Sequence, residues 1–157
     1  MPTVPCTFTV PSSDGNAYPT VLDDTTRQLY YALSATADGA WYFRGLVPDD
    51  YGSAAAFVVV CIANATTGAH NLKIDCAFVA DGEDQDPTLT ALAFQSITVP
   101  GTAYLQDRIT FSTSLPTAAA GDRIIGRVYR DGDGSSGTDS LSVPTLLDTV
   151  LFSYTAA

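Results

Sequence analysis

At 157 residues the chain has room for one domain with a real core and is short for two. It carries 17 acidic residues against 7 basic ones, a formal net charge of -10, so no basic surface is available to neutralise the phosphates of a nucleic acid. No apolar run approaches the roughly 20 residues of a membrane span, which argues against a membrane partner, and the first residues lack the basic and apolar regions of a secretory signal.

In chain order, Thr7 to Val10 reads as a short strand stopped by Pro11 and a Ser-Ser-Asp-Gly turn. Residues 1–24 hold Pro2, Pro5, Pro11 and Pro19, and are expected to form an extended arm outside a closed domain of residues 25–157, removable without unfolding it. From Gln28 to Leu33 the residues Leu29, Tyr31 and Leu33 alternate with Tyr30 on the opposite face. Asp38-Gly39 is a hairpin-type turn, and Ala40 to Val47 returns with Trp41, Phe43 and Val47 inward and Tyr42 and Arg44 outward. Gly45 marks a bulge or a close crossing in that strand, and Pro48-Asp-Asp-Tyr-Gly52 forces a tight loop after it.

The chain is organised around its next two segments. Ala54 to Asn64 is apolar almost throughout, whereas His70 to Ala80 alternates with Leu72, Ile74, Cys76 and Phe78 on one face. They are expected to be adjacent strands joined by the turn Ala65-Thr-Thr-Gly68. An acidic loop, Asp81 to Pro87, follows, then an apolar segment to Val99 ended by Pro100-Gly101. Arg108 to Ser112, Asp122 to Arg130 and Leu146 to Thr155 complete the strands, with Ile109, Phe111, Val150, Phe152 and Tyr154 inward. Eight or nine short segments without a helical period predict an all-β, single-domain sandwich or barrel, with jelly-roll-like connectivity favoured.

Chemistry is mostly absent. His70 is the single histidine and stands in no catalytic motif, no nucleophile elbow or phosphate loop occurs, and the acidic residues around Asp75 to Asp86 single out no pair. No catalytic residue and no cofactor is predicted. Cys6, Cys61 and Cys76 cannot all pair and have no metal-type spacing, so Cys61 and Cys76 are expected to be reduced core residues. In the run from Arg130 to Asp139, Asp131, Asp133 and Asp139 offer hard oxygens of the kind calcium takes, although the spacing fits a calcium loop poorly and a plain exposed turn is favoured. Tyr30, Tyr42 and Tyr129 lie opposite the inferred core positions, where tyrosine anchors protein or sugar surfaces; with Pro48 and Tyr51 they are the interface candidates.

Several segments together resemble small virion proteins of tailed bacteriophages: the strand Ala40 to Val47, P-D-D-Y-G at 48–52, A-T-T-G at 65–68, A-A-G-D at 119–122, R-V-Y-R-D-G at 127–132 and L-L-D-T-V-L-F-S-Y at 146–154. The resemblance implies a β-sandwich on the outer surface of the capsid, a cement or decoration protein bound to the major capsid protein, usually as a homotrimer and without catalytic residues. Aromatics beside acidic loops also suit sugar recognition, so within the phage resemblance the alternative is a receptor-binding or carbohydrate-binding module of a tail fibre in which Trp41 and Tyr42 contact the sugar.

Overall fold

The computed structural model describes residues 1–11, 15–21, 29–137 and 139–157. Eleven strands follow one another: β1 (Thr3–Pro11), β2 (Ala17–Val21), β3 (Leu29–Leu33), β4 (Gly39–Leu46), β5 (Tyr51–Ile62), β6 (Ala69–Val79), β7 (Thr90–Ala91), β8 (Gln95–Thr98), β9 (Gln106–Phe111), β10 (Arg123–Arg130) and β11 (Thr145–Ala156). No helix occurs among the described residues, and every strand pairing is antiparallel.

One sheet runs β2-β3-β11-β5-β9, and the other runs β1-β4-β10-β6 with β7 and β8 along the free edge of β6. The two face each other because the longer strands each turn an apolar row inward. Phe57, Val59, Cys61, Ile109, Phe111, Val150 and Phe152 come from the first sheet and meet Phe43, Leu72, Ile74, Cys76, Ile124 and Val128 from the second. The rings of Phe43, Phe57 and Phe152 meet edge to face at 5.5–5.6 Å and mark the centre of this core.

Strands β5 and β6 correct the sequence expectation of an adjacent pair. They lie in opposite sheets, β5 between β11 and β9, β6 between β10 and the β7/β8 edge. Two strands that each bring a row of large apolar side chains bury them better face to face across a sandwich than side by side. The turn at 65–68 is therefore a crossing between layers.

The N-terminal segment is also not the expected arm. Strand β1 pairs with β11 from Thr3 to Cys6, shifts register between Phe8 and Pro11, and pairs with β4 over its second half, so it passes from one sheet to the other. Its Cys6 and Phe8 are buried, and the Phe8 ring lies 4.5 Å from that of Tyr31 and 6.3 Å from that of Trp41. Strand β2 pairs with β3 at the margin of the first sheet. The prolines mark edges: at Pro5 and Pro19 the strand has a partner on one side only, where a missing N–H costs nothing. Gly45 is a close crossing, since a Cβ there would stand 2.9 Å from Cys6 Sγ where β1 passes over.

Candidate functional site

The outer face of the first sheet carries a row of residues in register, Tyr18 opposite Ala32, Ala32 opposite Leu146, and Leu146 opposite Ile62. Ala32, Ile62 and Leu146 form a small apolar cluster on this face, with Tyr30 packed against it. The methyl group of Ala32 between larger neighbours leaves a hollow. Tyr18, Thr20, Ala32 and Leu146 line it from the strands, and Asn64, Tyr104 and Pro144 from the loops, enclosing a surface pocket of about 210 Å³.

Tyr18 and Tyr104 are 41% and 47% exposed, so both rings are available to a ligand above this apolar floor. Tyr104 follows the Pro100-Gly101 break, and its amide donates to Ala63 O at 2.8 Å. That fixes it with φ of +63°, in the left-handed region where a side chain other than that of glycine or asparagine is unfavourable. Asn64 stands exposed at the margin of the same pocket, an amide that can donate and accept.

The wall at Val143 and Pro144 is held by a buried ionic knot. Arg130, the last residue of β10, points inward with no exposure. Its Nε and Nη2 donate to the two oxygens of Asp139 at 2.8 and 2.7 Å. Nη1 donates to Val143 O and Leu33 O, and Nη2 also donates to Leu141 O, so every guanidinium nitrogen has a partner. Asp139 in turn accepts from the amides of Asn71 and Leu141. The loop from β10 to β11 is thereby tied to both sheets beside the pocket.

No protein-family model matches the sequence, and no curated protein matches it. Solved structures match its fold. A family 35 carbohydrate-binding module from Paenibacillus barcinonensis superposes with a TM-score of 0.54 at 16% identity, over 99% of this chain and 100% of that one. A family 35 module from Clostridium thermocellum gives 0.51 at 12% identity, over 99% and 100%. The module CsCBM6-3 from Clostridium stercorarium, in complex with cellobiose, gives 0.50 at 12% identity, over 98% and 94%. At such identities the likeness is one of fold: an all-β sandwich of jelly-roll type, as the sequence pattern predicts.

The structure disperses the interface residues expected from sequence. Tyr30 packs on the apolar cluster under the pocket. Tyr42 and Tyr129 lie half-buried on the outer face of the second sheet, where Tyr129 donates to Asp38 and lies under the Lys73 ammonium. Pro48 accepts from the Tyr51 amide in a turn, and the Tyr51 ring sits 6.1 Å from both Phe152 and Tyr154 at the end of the core. Trp41, expected to contact sugar, is 4% exposed and its indole N–H donates to Ala32 O, so it is a core residue beneath the pocket floor. Sequence reasoning missed Tyr18 and Tyr104 entirely.

Of the three calcium-loop candidates, Asp131 and Asp133 come together, joined by Asp38, with carboxylate oxygens within 4.8 Å of one another. Asp139 is removed from that group because both its oxygens serve Arg130. Asp131 is buried and accepts from Asn71 Nδ2, Ser135 Oγ and the Ser136 amide, which makes it the fastening of the loop.

His70 is fully buried, as a structural histidine. Its Nδ1 lies 2.8 Å from Thr145 Oγ1 and its Nε2 3.3 Å from Asp107 Oδ2. Burial, and after it the Arg130 guanidinium, pushes the imidazole down to about 4 against the pull of Asp139, so the ring is neutral at pH 7. Because the unfolded chain then binds the extra proton more readily, stability should fall as pH drops from about 6.5 to 4, by on the order of 3 kcal/mol at the acid end. Asp107, whose carboxyl burial pushes upward, is protonated more easily when folded and works in the opposite direction. Urea titrations between pH 7 and 4 should show a shallower slope for His70→Gln; an unchanged slope would assign the acid loss to other groups.

Proposed function

We propose that the chain is a non-catalytic saccharide-binding module and that the pocket between Tyr18 and Tyr104 is its site. The observation that carries this is Tyr104, a half-exposed aromatic ring on a strained, left-handed backbone beside a second exposed tyrosine, over an apolar hollow with an amide at its margin. Backbone strain of this kind persists where the ring's position matters. A pyranose ring has an apolar face that stacks on tyrosine and hydroxyls that an asparagine amide recognises. The carbohydrate-binding modules named above are built on a similar sandwich, and no carboxylate, histidine or cysteine lines this pocket among the described residues.

A second reading keeps the capsid cement function, with the major capsid protein as partner and a trimer as the bound form. Its support on the molecule is the outer surface of β5 and its neighbours, where exposed Ala54, Thr110 and Ser112 and half-buried Val58 present small uncharged side chains suited to close contact with a shell. One experiment separates the two. The purified chain is tested on a glycan array and on emptied phage shells, as wild type and as Tyr18→Ala, Tyr104→Ala and the double variant. The saccharide reading expects glycan binding that weakens roughly two- to tenfold per tyrosine. Shell binding indifferent to both tyrosines, with no glycan retained, supports cement instead.

A further inference from the structure

The chain holds only seven basic residues, yet Arg44, Lys73, Arg123 and Arg127 all project from the outer face of the second sheet. Two of these already have a carboxylate partner, which they share. Arg127 donates to Asp75 Oδ2 through Nε and Nη2, at 2.7 and 2.6 Å, and Lys73 stands 3.6 Å from Asp75 Oδ1 between the rings of Phe94 and Tyr129. Arg44 and Arg123 are different. Both are exposed, and neither makes an ion pair among the described residues.

Register brings them together. Arg44 is opposite Ile125 and Arg123 opposite Leu46, so the two are diagonal neighbours on one face of an antiparallel pair, within reach of long side chains. They line the same two surface hollows, one of about 270 Å³ that also takes in Tyr42, Gln85 and Leu89, and one of about 550 Å³ next to Thr7 and Thr9. Two adjacent unpaired guanidiniums repel one another, and a carboxylate between them converts that repulsion into bidentate, charge-assisted hydrogen bonds.

The geometry points to a second binding site here, for a single sugar acid whose carboxylate bridges Arg44 and Arg123 while Tyr42 and Gln85 contact the ring. The smaller hollow, just below the size of ordinary small-molecule sites, suits one ring. The surroundings set the valence of the ligand. Asp86 shares the hollow and Asp81 lies beside Arg123 on its other side, in a chain of net charge -10, so an extended polyanion is repelled far more strongly than one carboxylate held between the two guanidiniums. The choice of a sugar rests on the saccharide reading above; the choice of an anion does not.

The test titrates the intact chain, followed by amide NMR, with glucuronate, with its uncharged methyl ester and with acetate, each also against Arg44→Gln/Arg123→Gln and Tyr18→Ala/Tyr104→Ala. Glucuronate is expected to saturate, with shifts centred on β4 and β10, to bind at least ~10-fold more tightly than its ester, and to weaken as salt is raised. The arginine double variant should lose at least ~10-fold in affinity while the tyrosine double variant keeps it, whatever becomes of the first pocket. Ester binding as tight as acid, or full affinity in the arginine variant, overturns the anion site. Acetate binding as tight as glucuronate overturns its assignment to a sugar.

Discussion

Replacing Asp139 by alanine is expected to lower the unfolding free energy by about 3–5 kcal/mol, because it strands a guanidinium that has no route to water. The side chains of Arg130 and Asp139 are 0% and 2% exposed, so solvent cannot take over the lost partner. The remaining carbonyls of Leu33, Leu141 and Val143 orient the cation but do not cancel its charge. For a chain of this size the loss corresponds to a fall in melting temperature of roughly 10 °C. Removing both members tests the cause: Arg130→Met with Asp139→Leu should recover most of the deficit, since the cost lies in the unpaired charge and not in the missing bond. If the double variant is as unstable as Asp139→Ala, packing and loop geometry dominate, and the knot's electrostatic role is lost.

Deleting residues 1–11 should abolish cooperative unfolding altogether. The segment supplies buried Cys6 and Phe8, and it is hydrogen-bonded to β11 in one sheet and β4 in the other, so its removal opens both sheets at the same end. A milder variant keeps the question answerable if the truncated chain cannot be purified. Phe8→Ala, which removes the ring that packs on Tyr31 and Trp41, should cost about 3–5 kcal/mol by thermal or denaturant melting. A truncated chain that melts within a few degrees of the full one would return these residues to the status of a dispensable arm.

The sequence made the inward rows legible because period-two alternation is imposed by the pleat. Trp41 and Phe43, Ile109 and Phe111, and Val150, Phe152 and Tyr154 are all buried as their spacing predicts. It did not reveal which strand each row faces, and so β5 and β6 were drawn together by proximity in the chain when burial puts them on opposite layers. The prolines of the first 24 residues misled for a related reason, since a proline excluded from a central strand is tolerated at an edge, and alternation alone does not say which strands are edges. The pocket was invisible for another reason. Tyr18 lies in a segment without periodicity, Tyr104 in a loop, and the hollow between them exists because Ala32 is small, a fact that acquires meaning only once β2, β3 and β11 are in register. Arg44 and Arg123 were likewise two isolated charges until β4 and β10 placed them side by side.

The pairing of β1 with β11, Thr3 opposite Ser153 and Cys6 opposite Val150, joins the two ends of the sequence. During synthesis the first strand therefore emerges long before its partner exists, and Cys6 and Phe8 wait with unsatisfied backbone and exposed apolar surface until β11 has left the ribosome. The loop to be closed takes in every strand from β2 to β10, which places this sandwich among slowly folding topologies whose late, all-or-none closure leaves nascent chains open to association with one another. Newly made chains at high concentration are consequently the stage at which this protein is most vulnerable, well before any question of its folded stability arises.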